Sequence, residues 1–195
     1  DGGFGHALEP DGRCPGSQPA AQQLALRTLD EADAWDEELV RGACDWLASV
    51  APAEGGVPFV DPNVVGWPHA PWWQPVDGLP PSLVTTGPIA ATLLARGVEH
   101  PWLEGAVAWL REAAPGATST YDLLGALAFA EHEPGLRERL EPALAAADMS
   151  EAPTNRGDQQ ADGGWDFPWP HWNATATADW RGSITVDALA SLRAG

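Results

Sequence analysis

Lysine is absent from this chain of 195 residues, and its ten basic residues, all arginine, lie scattered from Arg13 to Arg193. Twenty-eight Asp and Glu leave a formal charge of −18. A surface of that sign repels phosphate backbones and anionic lipid unless a basic patch gathers somewhere. None does, so no nucleic-acid partner is expected. Cysteine is equally scarce. Cys14 and Cys44 are too few for a disulfide scaffold and lack the CxxC spacing of structural zinc, so a reducing, cytoplasmic setting is expected, with no metal site and no identifiable cofactor. Asn173-Ala174-Thr175 fits the glycosylation pattern, but nothing else points to secretion. Long apolar runs are missing as well: no stretch nears the ~18 residues of a membrane span, and no signal peptide opens the chain. No segment alternates as a strand does.

What the sequence has is tryptophan: 11 Trp beside one Tyr and four Phe. Hydrophobic types reach 44% against 19% charged, enough apolar surface to offset chain entropy in a compact core. The 21 Gly and 19 Pro are segregated into loops between seven stretches of helical periodicity. These run over about 18–32, 35–50, 86–97, 101–114, 119–132, 134–147 and 183–194, which predicts an all-α class. Caps support the boundaries: Thr86 with Pro88 just inside, Pro101 at a first turn, and a capping box at Ser119-Thr120-Tyr121-Asp122. In the second stretch Trp35, Leu39, Ala43, Trp46 and Val50 share one stripe. The polar run Met149 to Asp158 reads as a flexible loop or the scar of an omitted segment.

The helices alternate in character. The first, third, fifth and seventh carry almost no charge, as in Ile89 to Leu94 and Leu123 to Ala130, whereas the second, fourth and sixth expose faces such as Arg137/Glu138/Arg139/Glu141. Rods apolar on every side must be enclosed, and rods with one charged side meet water. Two concentric layers produce that alternation, so the pattern predicts an α/α toroid with long Trp/Pro-rich loops. A repeat agrees. Gly2-Gly3-Phe4, Gly55-Gly56-Val57-Pro58-Phe59 and Gly163-Gly164-Trp165 each precede a loop and an uncharged helix, spaced by 53 and 108 residues, one and two units of about 54.

Gln159-Gln160-Ala161-Asp162-Gly163-Gly164-Trp165 resembles the repeat of squalene–hopene cyclases and other terpenoid cyclase and protein prenyltransferase toroids. Asp1-Gly2-Gly3-Phe4-Gly5 is similar to the second half of that motif. The stretch Asp1 to Asp11, Pro68-His69-Ala70-Pro71-Trp72-Trp73 and Asp179-Trp180-Arg181-Gly182 resemble a group of actinobacterial proteins labelled prenyltransferase-like. The resemblance spans most of the chain. It implies a single toroid domain over 1–195, an incomplete barrel because a full ring of this type closes with five or six helix pairs. The chain also opens inside a repeat motif without Met, so residues are expected to precede it.

Nearly all the unusual side chains sit in the loops leading into the uncharged helices, where a rigid scaffold usually carries function. His6, Glu9, Asp11 and Arg13 come from the first loop. Trp67, His69, Trp72, Trp73 and Gln74 come from the second. Trp169, His171, Trp172, Asp179, Trp180 and Arg181 come from the third. Gathered at one end of a toroid they form an aromatic mouth that binds a hydrophobic small molecule, isoprenoid by the resemblance, with Asp11, Glu9 and Asp179 as acid candidates. Of Trp72 and Trp73, one is expected to pack and the other to face a ligand. Neither the Asp-x-Asp-Asp of proton-initiated cyclases nor the Asp-Asp-x-x-Asp of diphosphate ionisers is present, so cyclisation or transfer stays open beside simple binding. A carbohydrate-active toroid with paired carboxylates about 5 to 10 Å apart and a non-catalytic scaffold are the alternatives.

Overall fold

The computed structural model describes residues 1–76, 78–148 and 159–194. Seven α-helices are found among them: α1 (Pro19–Glu31), α2 (Glu37–Val50), α3 (Leu83–Ala95), α4 (Pro101–Ala113), α5 (Thr120–Ala130), α6 (Leu136–Ala146) and α7 (Ala174–Ala194). Among the described residues there is no strand, only an isolated bridge between Gly12 and His69. The class is therefore all-α. Two compact units divide the chain, Asp1–Ala147 and Asp148–Gly195. The loop expected over Met149 to Asp158 lies outside the described residues.

Capping decides where the helices begin. The Asp36 carboxylate accepts the N–H groups of Glu38 and Leu39 at 2.9 and 3.0 Å, so α2 starts after Trp35 rather than at it. Its core stripe then runs through Val40, Ala43, Cys44 and Leu47, which leaves Leu39 48% exposed, contrary to the expected stripe. The Trp35 ring instead lies 5.2 Å from the Arg96 guanidinium. Helix α3 starts earlier than the Thr86 cap predicts, because the Ser82 hydroxyl accepts the Val84 N–H at 3.3 Å. Pro88 therefore falls inside the helix and leaves the Val84 carbonyl without its usual donor. Helix α7 likewise begins well before Ser183, where Asn173 Oδ1 accepts the Ala176 N–H at 2.8 Å. The Asn173-Ala174-Thr175 triplet is thus a helix start.

In the first unit, α3 packs against α1, α4 and α5, while α2 packs against α1 and α4, and α6 against α5. Helices α1, α3 and α5 form one row, with α2, α4 and α6 packed along it; of the row only α3 is free of charge, whereas α1 carries Arg27, Asp30 and Glu31 and α5 carries Asp122. Enclosure holds for α3, which buries Leu83, Thr85, Gly87, Ile89, Ala90 and Leu93 around its circumference; α7, expected to be enclosed as well, instead leaves Val186, Leu189 and Leu192 exposed. The row closes up to backbone contact between α3 and α5. A Cβ on Gly87 would fall far inside contact distance of the Gly125 carbonyl oxygen, and one on Gly125 would do the same to that of Leu83.

The Gly-Gly repeat has a repeated geometry. Gly2, Gly55 and Gly163 hold φ of +87, +90 and +87°, a region that side chains other than glycine enter at a cost. In the first unit each turn rests on a charged helix. A Cβ on Gly2 would lie 3.0 Å from the Gly42 carbonyl oxygen of α2, and one on Gly55 would lie 2.6 Å from that of Gly105 in α4. The next glycines, Gly3 and Gly56, meet Trp46 and Trp109, each four residues beyond the helix glycine. The following carbonyl then receives the next helix: Gln18 N–H donates to Phe4 O at 3.0 Å and Ser82 N–H to Val57 O at 2.8 Å. Threonine repeats too, with Val57 N–H donating to Thr86 Oγ1 and Trp165 N–H to Thr185 Oγ1, both at 3.0 Å. A Gly-x-x-x-Trp face on the charged helices is therefore the partner of the Gly-Gly turn.

Candidate functional site

A groove of about 460 Å³ opens where three helix ends converge: Ser82 and Leu83 at the start of α3, Asp122 in the first turn of α5, and Trp109 and Ala113 in α4. Its remaining wall is the loop leading into α3, through Phe59, Trp72, Val76, Leu79 and Pro81. That volume lies within the ~300 to 1,000 Å³ of small-molecule sites, and the mostly apolar lining with few polar groups is typical of them.

The loop is held in shape by the first one. Arg13 N–H donates to Pro68 O at 2.9 Å and Ala70 N–H to Asp11 O at 2.7 Å. The Trp72 indole N–H donates to Asp11 Oδ2 at 2.9 Å while the residue stays 37% exposed beside the groove. Trp73 turns the other way. It is 2% exposed, its ring covers Gly12 where a side chain would collide, and it meets Phe59 edge-on with centroids 6.2 Å apart. Of the adjacent pair, Trp73 packs and Trp72 faces out, with its indole N–H held by Asp11.

Behind Trp72 sits a buried acid pair. Glu9 is 9% exposed and Asp11 5%, and the Asp11 N–H donates to Glu9 Oε2 at 2.8 Å. Burial, and next the charge of Asp11, push the Glu9 carboxyl well above the usual carboxylate range, opposed by the Asp11 amide and by Arg13. Beside it the chain leaves a crevice of about 10 Å³ bounded by Cys14, Gln18 and Trp73, room for about one water. Glu9 is thus placed to hold a proton within the wall. A raised folded-state pKa means that the folded chain binds more protons than the unfolded one between the ordinary Glu range and the raised value. The stability this proton contributes is complete below the ordinary range and is lost as pH rises through the raised pKa. Glu9→Gln, which keeps a neutral side chain of the same shape, is expected to match the parent's thermal stability near pH 4 and to exceed it at pH 8. Parallel melting curves at the two pH values check this; an equal offset at both would contradict it.

Three other expected residues of the first unit lie off the groove. His6 is exposed at a positive φ of 55°, Trp67 is exposed, and His69 is half-buried with its backbone paired to Gly12. None of the three lines the groove. In the second unit, Trp169 and His171 stack on Phe167 with centroids 4.5 and 4.3 Å apart, and Trp180 meets Trp169 edge-on at 5.3 Å. Phe167 with Trp165, Ile184 and Ala188 is that unit's buried core, Trp169 and Trp180 pack against it half-buried, and His171 is exposed. Trp172 is half-buried and Asp179 exposed. Arg181 is engaged by Asp162 at 3.0 and 3.1 Å, a bond that holds the Asp162 carboxyl below its usual range. Sequence reasoning missed Phe59, Leu83, Trp109 and Asp122 as groove residues. The Gly105-x-x-x-Trp109 spacing, echoing Gly42-x-x-x-Trp46, was the signal that tied Trp109 to the end of the Gly-Gly loop. Among the described residues no three His, Cys, Asp or Glu side chains converge as metal ligands, and no helix is long and apolar enough to cross a membrane. No protein-family profile, curated protein or solved structure matches this chain.

Proposed function

We propose that this chain belongs to an α/α toroid of the terpenoid cyclase and prenyltransferase type and binds a hydrophobic, isoprenoid-like small molecule. The observation that carries the reading is the groove of about 460 Å³ walled by Phe59, Trp72 and Trp109 over the first turns of α3 and α5. The toroid is supported by the row α1, α3, α5 with charged helices packed along it, and by the Gly-Gly turn seated on a Gly-x-x-x-Trp face. Aromatic walls serve such a ligand in two ways: they remove apolar surface from water, and their faces attract positive charge by roughly 0.5 to 2 kcal/mol per ring. A sugar-cleaving site requires two facing carboxylates, whereas among the described residues Asp122 is the one carboxylate that lines the groove. An inert scaffold has no use for the open volume. Conversion of the ligand by cyclisation or transfer is a further step, for which Glu9, whose carboxyl burial pushes well above its usual range, is the acid candidate.

Titration with farnesol, followed by tryptophan fluorescence, tests the proposal. A saturable change is expected, with Trp72→Ala and Trp109→Ala each weakening binding about tenfold through the lost ring contact. An unsaturable response from the parent, or a full-strength response from both variants, would contradict it.

A further inference from the structure

The charges around the groove are one-sided. Residues 59–82 contain no Arg and no Lys. Among the described lining residues the single charged side chain is Asp122, which lines the same volume as Phe59, Trp72 and Trp109. The positive ends of the two helices are already balanced. Ser82 accepts an amide of α3, and Ser119 Oγ accepts the Asp122 N–H of α5 at 3.2 Å, while the Asp122 carboxylate itself offsets the α5 dipole from within its first turn. The Ser119 hydroxyl donates to Asp122 Oδ2 at 2.7 Å, which fixes the carboxylate at the groove's edge. Aromatic faces carry the negative lobe of the ring quadrupole, so the walls add to the same sign. The whole chain carries a formal charge of −18.

A phosphate-bearing ligand entering this groove would lose water and find no cation to replace it. A cationic head would find a carboxylate and three aromatic side chains. Resting on the groove reading above, we infer that the groove takes an apolar chain carrying a cationic head group, an amine or quaternary ammonium, with Asp122 and the tryptophan faces of Trp72 and Trp109 as its recognition elements. Asp122 is then the residue that sets charge specificity, and the hydrocarbon tail runs along Leu79, Leu83 and Phe59.

Three probes sharing one tail separate the terms: farnesylamine, farnesol and farnesyl diphosphate, each titrated against the full chain at low ionic strength. Farnesylamine is expected to bind about tenfold more tightly than farnesol through one partly solvated charge pair, and farnesyl diphosphate to bind more weakly than either. Asp122→Asn, at a half-buried position in the first turn of α5, is expected to remove the amine's advantage over farnesol measured on the same variant. Added salt is expected to shrink the amine's advantage and spare the alcohol. Diphosphate binding as tight as the alcohol's, or an amine advantage that survives Asp122→Asn, would overturn the inference while leaving the groove reading intact. Saturable binding by none of the three would overturn the groove reading itself, and this inference with it.

Discussion

Gly125→Ala is expected to destabilise the first unit by about 3 kcal/mol or more, a large share of the roughly 5 to 15 kcal/mol that holds an ordinary domain folded. The reason is distance. The new methyl group would collide with the Leu83 carbonyl oxygen of α3, a backbone atom that no rotamer change moves aside. The Gly87 position meets Gly125 in the same way, so α3 and α5 are pressed together from both sides. Helix axes that must separate also pull Ile89, Leu93, Leu123 and Phe129 out of a shared core. A helical glycine without such a neighbour behaves oppositely. A Cβ on Gly105 in α4 would meet nothing within 4 Å, so Gly105→Ala is expected to stabilise by roughly 0.5 to 1 kcal/mol through helix propensity alone. Thermal or urea unfolding of the two variants should therefore move in opposite directions from the parent. Equal small shifts would contradict the close crossing of α3 and α5.

Trp73→Ala is expected to cost about 3 to 5 kcal/mol, the range for emptying a well-packed aromatic site, while Trp72→Ala should cost little stability and weaken ligand binding. The two residues are neighbours in sequence and opposite in role. Trp73 is 2% exposed and closes over Gly12, whose lack of a side chain leaves room for the ring. Removing the ring opens a void between the first and second loops, and the Asp11 to Ala70 bond loses its cover. Trp72, 37% exposed, is anchored only at its indole nitrogen. Unfolding curves for both, read beside farnesol titrations, separate the roles. Destabilisation by Trp72→Ala as large as that by Trp73→Ala would show that the assignment is reversed.

The enclosure of α3 was legible in the sequence because charge follows burial, whereas the seventh stretch, read the same way, exposes Val186, Leu189 and Leu192. Residues 89–94 carry no charge and lie on an enclosed helix, whereas Arg137, Glu138 and Arg139 mark a helix with a wet face. The Gly-Gly repeat was legible because its first glycine needs a positive φ in every copy. Where α3 and α7 begin was less so. Ser82 follows Pro80 and Pro81, which read as loop, and Asn173 sits among Trp and Pro residues, so the caps were hidden by their neighbours. The site was half legible. Glu9, Asp11, Trp72 and Trp73 do come together, because complementary backbone bonds lace the two loops. Which of two adjacent tryptophans faces outward depends on a carboxylate 61 residues away, and no local spacing encodes that. Trp109 and Asp122 reach the groove only through the crossing of α4 and α5 with α3, a tertiary relation that periodicity does not carry.

Photolabelling tests the groove most directly. An apolar tail bearing a diazirine, irradiated with the full chain and mapped by peptide mass spectrometry, should mark Phe59, Trp72, Leu79, Leu83 and Trp109, and excess farnesol should suppress those marks. Labels spread over the exposed apolar residues Val65, Trp67 and Val186, unaffected by competitor, would contradict a ligand site at the first turns of α3 and α5.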